Sequence, residues 1–212
     1  MSALDAETLL KAYSIGVFPM AMSRDDPQLY WFDPEQRGVI PLDAFHIPRR
    51  LARRLKAQPF RVSADTAFER VMRACAAPRP GHPETWINEE IIGLYGELHE
   101  RGHAHSIECW SGDDLAGGLY GVSLGAAFFG ESMFSRATDA SKIALCVLVG
   151  LLRMGGYRLL DAQYLTTHLA QFGAVEIPRR AYRQRLAAAI AAPAEFHSRA
   201  ASSFSIVSSM VG

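Results

Sequence analysis

The sequence predicts an α+β protein whose larger part is built on a mixed sheet. Strand patterns separated by turns follow one another over residues 104–131, a strongly apolar helix follows at 143–152, and one more strand and two helices complete the pattern. Helix, meander, helix, strand and helix in that order are typical of an α+β or mixed-sheet domain. A chain of 212 residues has room for one large domain or two small ones.

The first third of the chain predicts a small, loop-rich N-terminal α/β unit over residues 1–62. Residues 18–20 and 26–27 each contain a proline and mark irregular chain. The expected regular elements are helices at 6–13 and 49–57 and short strands at 29–32 and 39–40, the two strands being joined by a turn.

The larger domain is expected to occupy residues 63–192. After a strand at 60–63, Asp65 or Thr66 is expected to cap a helix that ends at Ala76, and Asn88 to cap the next helix. The prolines of residues 78–83 separate these two helices. The apolar helix is expected to be capped near Thr138 or Asp139 and to stop at Gly155-Gly156. The other expected elements are a helix at 89–101, strands at 105–110, 115–122, 126–131 and 157–161, and helices at 165–172 and 180–191.

This element order is the one expected of an N-acetyltransferase-like (GNAT-like) fold. Acetyltransferases of that fold usually hold the coenzyme A pyrophosphate on a glycine-rich turn that enters the central helix. The corresponding segment here, residues 131–142, contains no glycine. A coenzyme A donor is therefore disfavoured, and we expect no cofactor. Residues 193–212 form an Ala/Ser-rich tail that we expect to be frayed or loosely docked.

Composition excludes several classes of protein. The apolar run at 143–152 is ten residues long, whereas a membrane-spanning helix needs roughly 20, and the acidic N-terminus lacks the basic region of a secretory signal. We therefore expect a cytoplasmic protein without membrane contact. Three scattered cysteines argue against a disulfide framework, and the histidines at 99, 103 and 105 complete no metal-ligand pattern, so no metal site is expected.

One segment breaks the charge balance of a chain whose 22 basic and 22 acidic residues cancel. Between residues 46 and 61 there are six Arg or Lys residues and no acid, and the predicted helix carries Arg49, Arg50, Arg53 and Arg54 as a band along one side. Guanidinium groups match phosphate oxygens in pairs, so the band is a candidate surface for a nucleic acid backbone, with binding that weakens as salt rises. The alternative is a solvated helix face.

Many motifs, in order along nearly the whole chain, resemble the bacterial leucyl/phenylalanyl-tRNA–protein transferase family. They are AYSIGVFPM at 12–20, WFDP at 31–34, TWI at 85–87, HAHSIE at 103–108, GGLYG at 117–121, FGESMFSR at 129–136, ASK at 140–142 and LDAQ at 160–163. The resemblance implies transfer of Leu or Phe, and less readily Met, from aminoacyl-tRNA to the N-terminal Arg or Lys of a protein, which marks that protein for degradation. It also implies a small N-terminal domain on an acetyltransferase-like domain.

The candidate catalytic pair is Asp161 and Gln163, at the end of a predicted strand. Strand side chains alternate with a period of two, so the carboxylate and the amide should point the same way and be able to hydrogen-bond each other and an incoming amine. The resemblance implies that Gln163 contacts the amine and Asp161 polarises Gln163. Because an amide is a poor base, we favour an orienting role for Gln163. The alternative is an ordinary surface Asp and Gln at a strand end.

Substrate-binding residues are assigned to three places. Glu131, at the end of another predicted strand, is the candidate for recognising the positive N-terminal Arg or Lys; alternatively it is an internal partner of Arg136 or Lys142. The aminoacyl pocket is expected to be apolar. Its candidate lining residues are Phe128, Leu119, Leu148 and Leu160. Trp31 and Trp86 are candidates for stacking on the terminal adenosine of tRNA, with plain core positions as the alternative for every apolar residue named here.

Two other functions fit the same residues. One is a different enzyme of this fold, an acetyltransferase or a cell-wall-type peptide ligase. The other is a non-catalytic module that binds tRNA or protein N-termini. The presence of Asp161, Gln163 and Glu131 together favours the enzyme.

Overall fold

The computed structural model describes residues 4–21, 23–24, 26, 28–78 and 85–202. Within them the helices are α1 (Ala6–Ser14), α2 (Arg49–Lys56), α3 (Phe68–Cys75), α4 (Glu89–Glu100), α5 (Ala140–Met154), α6 (Thr167–Ala170) and α7 (Arg179–Ile190). The strands are β1 (Phe18–Ala21), β2 (Leu29–Phe32), β3 (Gln36–Ile40), β4 (Arg61–Ala64), β5 (Ala104–Ser111), β6 (Asp114–Leu124), β7 (Ala127–Ser135), β8 (Leu159–Gln163) and β9 (Val175–Pro178). A 3₁₀ helix covers Ser198–Ser202.

Seven of these strands form one mixed sheet in the order β4-β5-β6-β7-β8-β3-β9. Neighbouring strands are antiparallel except β7 and β8, which are parallel. Parallel strands need a long crossover, and α5 supplies it between β7 and β8. The prediction of a mixed-sheet α+β protein is confirmed.

The sheet separates two apolar layers. One collects buried residues of α1, α3, α4 and α7, and the other collects those of α2 and α5. Helix α5 is buried on nearly all sides, with twelve of its 15 residues buried, because it packs between the sheet and the outer elements. The prediction of a buried core helix at 143–152 is therefore confirmed.

The N-terminal strands pair differently from the prediction. Residues 18–20, expected to be irregular, form β1, which pairs with β2 as a separate two-stranded ribbon. The strands at 29–32 and 39–40 are not joined as a hairpin, because β3 leaves β2 and enters the main sheet between β8 and β9. Val39 and Ile40 are both buried, as expected of a strand covered on both faces. The division of the chain at residue 62 stays a prediction; β3 and β4 both begin before it.

The predicted helix caps have different outcomes. Asn88 caps α4 as predicted, its side chain accepting a hydrogen bond from the Ile91 N–H. Neither Asp65 nor Thr66 caps α3, whose N-cap is Ala67. Asp65 instead has a left-handed backbone (φ 59) and its carboxylate accepts hydrogen bonds from β5, at the His105 ring and the Ser106 N–H. Tertiary contacts thus override the local cap.

Elements near the C-terminus are shifted from their predicted bounds. β8 begins two residues later and extends to Gln163, the helix expected at 165–172 shortens to α6, and β9 was not predicted. The tail is docked over its described part, residues 193–202: the Phe196 ring stacks on His105 with centroids 4.0 Å apart, and Ala201 is buried. The expectation of a loosely docked end is wrong for these residues. Residues 203–212, and 79–83 of the expected interruption, lie outside the described residues.

Candidate active site

A cavity of about 510 Å³ opens where the parallel strands β7 and β8 meet the middle of α5. One part of its lining is apolar and comes from Ile40, Leu119, Met133, Leu145, Leu148 and Leu160. The other part is polar and contains Glu131, Asp161 and Gln163. An apolar cavity with a few convergent polar groups is the usual form of a small-molecule site. The structure therefore brings together the residues that the sequence placed on two distant segments.

Asp161 lies beneath this cavity as a fully buried carboxylate. Arg37 of β3, itself 1% exposed, binds it in a fork, with Nε 2.9 Å from Oδ1 and Nη2 2.6 Å from Oδ2. The Tyr182 hydroxyl donates to Oδ2 at 2.6 Å, and the backbone N–H of Gln163 donates to Oδ1 at 2.8 Å. Both carboxylate oxygens are thus engaged by protein donors. Paired and hydrogen-bonded in this way, the buried charge is tolerated.

Gln163 is aimed away from Asp161. A β-bulge lies here, since Asp161 and Gln163 are opposite adjacent residues of β3, Val39 and Gly38. Gln163 has a left-handed backbone (φ 62), and its side-chain Nε2 donates to Glu131 Oε1 at 3.1 Å. The prediction of a side-chain hydrogen bond between Asp161 and Gln163 is therefore wrong. The bulge interrupts the regular alternation of side chains along the strand, and Asp161 accepts a hydrogen bond from the backbone N–H of Gln163 instead.

Glu131 sits among hydroxyl and amide donors. Tyr13 of α1 donates to Oε1 at 2.7 Å, Tyr95 of α4 contacts Oε2 at 3.4 Å, and the two tyrosine hydroxyls are 2.6 Å apart. Burial raises the pKa of Glu131 to about 7; the negative charge of Asp161 adds to the rise, and hydrogen bonds from Tyr13 and Gln163 oppose it. The alternative partners are excluded, because Arg136 donates to the Leu115 carbonyl and Lys142 to Asp139.

Three of the four candidate pocket residues line the cavity: Leu119, Leu148 and Leu160. Phe128 does not. It is fully buried, and its ring contacts Tyr157 and the tail residue Phe196, with centroids 6.3 and 6.0 Å away. The prediction that Phe128 lines the pocket is therefore wrong. Phe128 is a core residue, because its side chain packs against Phe196 of the tail.

The candidate tRNA residues lie outside the cavity lining. On α2, Arg49, Arg50 and Arg53 are exposed. Arg54 is instead turned to the start of α5, with Nη2 3.4 Å from the Thr138 carbonyl and Nε 3.8 Å from Asp139. The band of four guanidinium groups is thus reduced to three open ones.

The two candidate tryptophans differ in exposure. Trp31 on β2 is 42% exposed, which leaves its ring open to a partner. Trp86 is partly buried and packs against the core layer formed by α1, α3, α4 and α7. Its packing agrees with the plain-core alternative for this residue.

Sequence reasoning missed Arg37, Tyr13, Tyr95 and Tyr182, which together hold the polar side of the cavity. The Arg37-Gly38 pair has the pattern of a turn, although a lone arginine ahead of the apolar pair Val39-Ile40 is also a signal for a buried charge that needs a partner. The tyrosines lie on helices far from residue 131 in sequence and carry no local signal. Their hydroxyl pKa values are raised by burial, so they act as hydrogen-bond donors.

Potential metal ligands do not cluster in the described part of the chain. It holds no group of three or more His, Cys, Asp or Glu residues that could bind a metal ion. None of its helices is both long and apolar enough to cross a membrane. All three cysteines are buried.

The mixed sheet carries an apolar cavity with a carboxylate and an amide on its polar side, and comparison with known proteins gives the class of protein: the chain is an aminoacyltransferase. Residues 39–187 match the profile of the leucyl/phenylalanyl-tRNA protein transferases, and residues 2–35 match the profile of the N-terminal domain of the same proteins. The chain belongs to the leucyl/phenylalanyl-tRNA protein transferase family.

Individual relatives agree with the family match. Two leucyl/phenylalanyl-tRNA–protein transferases, from Phenylobacterium zucineum and Paramagnetospirillum magneticum, are each 61% identical to the chain. The first alignment covers 93% of this chain and 89% of the relative, and the second 92% and 94%. Among solved structures, a conserved protein of unknown function from Staphylococcus epidermidis aligns with 84% of this chain and 66% of its own, at a TM-score of 0.40 and 12% identity. That likeness is too low to define the fold.

Proposed function

We propose that this enzyme transfers Leu or Phe, and less readily Met, from aminoacyl-tRNA to the N-terminal Arg or Lys of acceptor proteins, and so marks them for degradation. The observation that carries the proposal is the two-sided cavity, apolar at Leu119, Leu148 and Leu160 and polar at Glu131 and Gln163. The apolar side suits the donor side chain and the polar side suits a cationic acceptor.

The donor side of the cavity discriminates by shape. Leu145 and Leu148 come from α5 and Leu160 from β8, so the walls belong to rigid elements of the core. In such a pocket one methylene is worth only ~1–3 kcal/mol. An unbranched apolar side chain of similar volume, such as that of Met, is therefore a weaker donor but is not rejected.

The acceptor side offers a negative charge and a hydrogen-bond acceptor. Glu131, once ionised, attracts the guanidinium or ammonium group of an N-terminal Arg or Lys. Since Gln163 Nε2 donates to Glu131, the carbonyl oxygen of the same amide is the group that faces an amine N–H. Gln163 thus orients the amine, and Glu131 supplies the charge preference.

Orientation is sufficient for this reaction. The donor ester is already activated, and an α-amine with a pKa of ~7.7–8.0 is partly neutral near pH 7, so no strong base is needed. Holding nucleophile and carbonyl in reactive geometry supplies ~7–11 kcal/mol in favourable intramolecular cases. Asp161 is saturated by Arg37, Tyr182 and the Gln163 N–H, which fits support of Gln163 rather than proton transfer.

The acetyltransferase alternative is disfavoured by the segment that enters α5. We propose a GNAT-like arrangement for the main domain, but the N-cap of α5 is Asp139, whose carboxylate contacts Lys142 at 3.1 Å and Arg54 at 3.8 Å. In coenzyme A enzymes a pyrophosphate lies at this helix terminus. The segment that enters α5 here, residues 131–142, contains no glycine, so its backbone cannot approach a pyrophosphate as a glycine-rich turn does.

We further propose that tRNA lies along the exposed side of α2, where Arg49, Arg50 and Arg53 face solvent, and that Trp31 stacks on the terminal adenosine. Arg54 serves the fold through Thr138 and Asp139 and is not part of this contact. Trp86 contributes through core packing.

The decisive experiment is a mass-spectrometric assay of a peptide with N-terminal Arg. It is incubated with the enzyme and, in parallel, Phe-tRNA, uncharged tRNA plus free Phe, or acetyl-CoA. The proposal expects a peptide extended by one Phe with Phe-tRNA alone. Acetylated peptide would favour the acetyltransferase alternative, and tRNA binding without any product would favour the non-catalytic module.

A further inference from the structure

The guanidinium group of Arg37 is held on every side. Nε and Nη2 bind Asp161, and Nη1 donates to the carbonyl of Gly16 at 3.1 Å. The rings of Phe18 and Tyr182 lie on the group at 4.4 and 4.6 Å from the Cζ atom. An arginine fixed by two aromatic rings and a fork of hydrogen bonds has little freedom left to lose.

The carboxylate opposite it has no room for a substrate. Oδ1 accepts from Arg37 and from the Gln163 N–H, and Oδ2 accepts from Arg37 and Tyr182. The side chain of Asp161 is also completely buried. It therefore cannot receive a hydrogen bond from an acceptor amine without losing one of these partners, and it acts on the reaction only through another residue.

That other residue is Gln163. Its left-handed backbone (φ 62) costs ~1–2 kcal/mol for most residues other than glycine and asparagine. The hydrogen bond from its N–H to Asp161 Oδ1 holds it there, and the amide of the side chain then reaches Glu131. Gly38 makes the bulge possible, since a Cβ atom at that position would lie 2.5 Å from the Tyr164 carbonyl carbon.

We propose that Arg37 is a positioning residue of the transfer reaction. Its buried ion pair with Asp161 fixes the backbone of Gln163, and this sets the direction of the Gln163 side-chain amide that contacts the acceptor amine. The inference rests on the proposed function. It adds Arg37 of β3, 124 positions before Asp161, to the site residues that β7 and β8 contribute. Tyr182 supports the same carboxylate from α7.

Two variants test the role at different strengths. Tyr182→Phe removes one hydrogen bond to Asp161 and keeps the ring that covers Arg37, so the protein should fold. Arg37→Lys keeps the positive charge and loses the fork. The matched control is Tyr157→Phe, which deletes another buried tyrosine hydroxyl. That hydroxyl is hydrogen-bonded to the Ser123 hydroxyl at a distance of 2.7 Å and lies outside the cavity lining. Each variant is assayed for Phe transfer to the Arg peptide, with rates given per folded molecule, and by amide hydrogen exchange.

The expected pattern separates positioning from general stability. Tyr182→Phe should lower kcat ~10-fold and Arg37→Lys ~100-fold, each with KM for both substrates changed less than about twofold, because only the aim of the amide is lost. The Gln163 N–H should exchange faster in both variants, and Tyr157→Phe should change neither kcat nor that exchange. The proposal is overturned if all three variants lower the melting temperature but keep wild-type kcat and Gln163 protection. If wild-type enzyme makes no Phe-peptide, the proposed function fails, while the exchange of Gln163 still reports on the ion pair.

Discussion

The side-chain amide of Gln163 donates to Glu131 across 3.1 Å and thereby joins the end of β8 to the middle of β7. These are the two strands that run parallel in an otherwise antiparallel sheet. The cavity lies where they meet, so the pair marks the boundary between the apolar donor side and the polar acceptor side.

Replacing Glu131 by Gln should change how stability depends on pH. The pKa of Glu131 is raised by burial from 4.5 to about 7, so between these values the folded state holds a proton that the unfolded chain has lost. This contribution to stability is complete below pH 4.5 and is lost as pH rises through about 7. Each pKa unit corresponds to ~1.4 kcal/mol, so with a rise from 4.5 to about 7 the variant should gain ~3–4 kcal/mol relative to wild type between about pH 4.5 and 8. Urea unfolding of both proteins at several pH values measures this difference in the free energy of unfolding. A difference that stays constant with pH would contradict a raised pKa for Glu131.

The same variant should alter the preference for cationic acceptors. Ionised Glu131 attracts the acceptor guanidinium, so in the wild type the advantage of a peptide with N-terminal Arg over one with N-terminal citrulline should grow as pH rises through about 7. Citrulline is neutral and nearly isosteric, and the titration of the α-amine cancels in the ratio. Glu131→Gln should make the ratio of the two kcat/KM values small and flat with pH. A wild-type ratio independent of pH would remove Glu131 from acceptor recognition.

Shortening Leu148 should enlarge the donor pocket. Leu148→Ala opens the α5 wall of the cavity, so the larger Phe side chain should gain over Leu by ~10-fold in the ratio of kcat/KM values for Phe-tRNA and Leu-tRNA. The expected stability cost is ~2–5 kcal/mol. Phe128→Leu is the control, because Phe128 is buried beside Tyr157 and Phe196 and should lower stability without changing the ratio. A changed ratio in Phe128→Leu alone would show that Phe128 contributes to the donor pocket.

The arginines of α2 should show themselves in the salt dependence of tRNA binding. Arg49→Gln with Arg53→Gln removes two exposed cations, and the slope of log K against log salt should fall by ~0.7–0.9 for each phosphate that is no longer neutralised. Arg101→Gln just after α4, exposed and paired with Glu97, is the control and should leave the slope unchanged. Identical slopes for all three proteins would show that these arginines do not contact tRNA and that the side of α2 that carries them is a solvated helix face.

Local sequence patterns located most elements and three central site residues. Asp161, Gln163 and Glu131 stand out as polar groups at the ends of apolar strands, and the structure brings all three to one cavity. The pairing of β3 with β8 was missed, because strands about 120 residues apart leave no local signal of their partnership. Without that pairing Arg37 had no visible partner and the bulge at Gln163 could not be foreseen. Asp65 was misassigned for a similar reason, since its carboxylate serves β5 and not the nearby helix.

Gln163 is expected to present the acceptor amine to the aminoacyl ester at this cavity. Single-turnover transfer of Phe from saturating Phe-tRNA to an Arg peptide tests it in wild type and Gln163→Ala, with the exposed Gln184→Ala on α7 as control. We expect an unchanged Kd for Phe-tRNA in all three proteins and a rate ~10²-fold lower in Gln163→Ala alone, as for a misplaced nucleophile. A Gln163→Ala enzyme that transfers Phe at the wild-type single-turnover rate would contradict it.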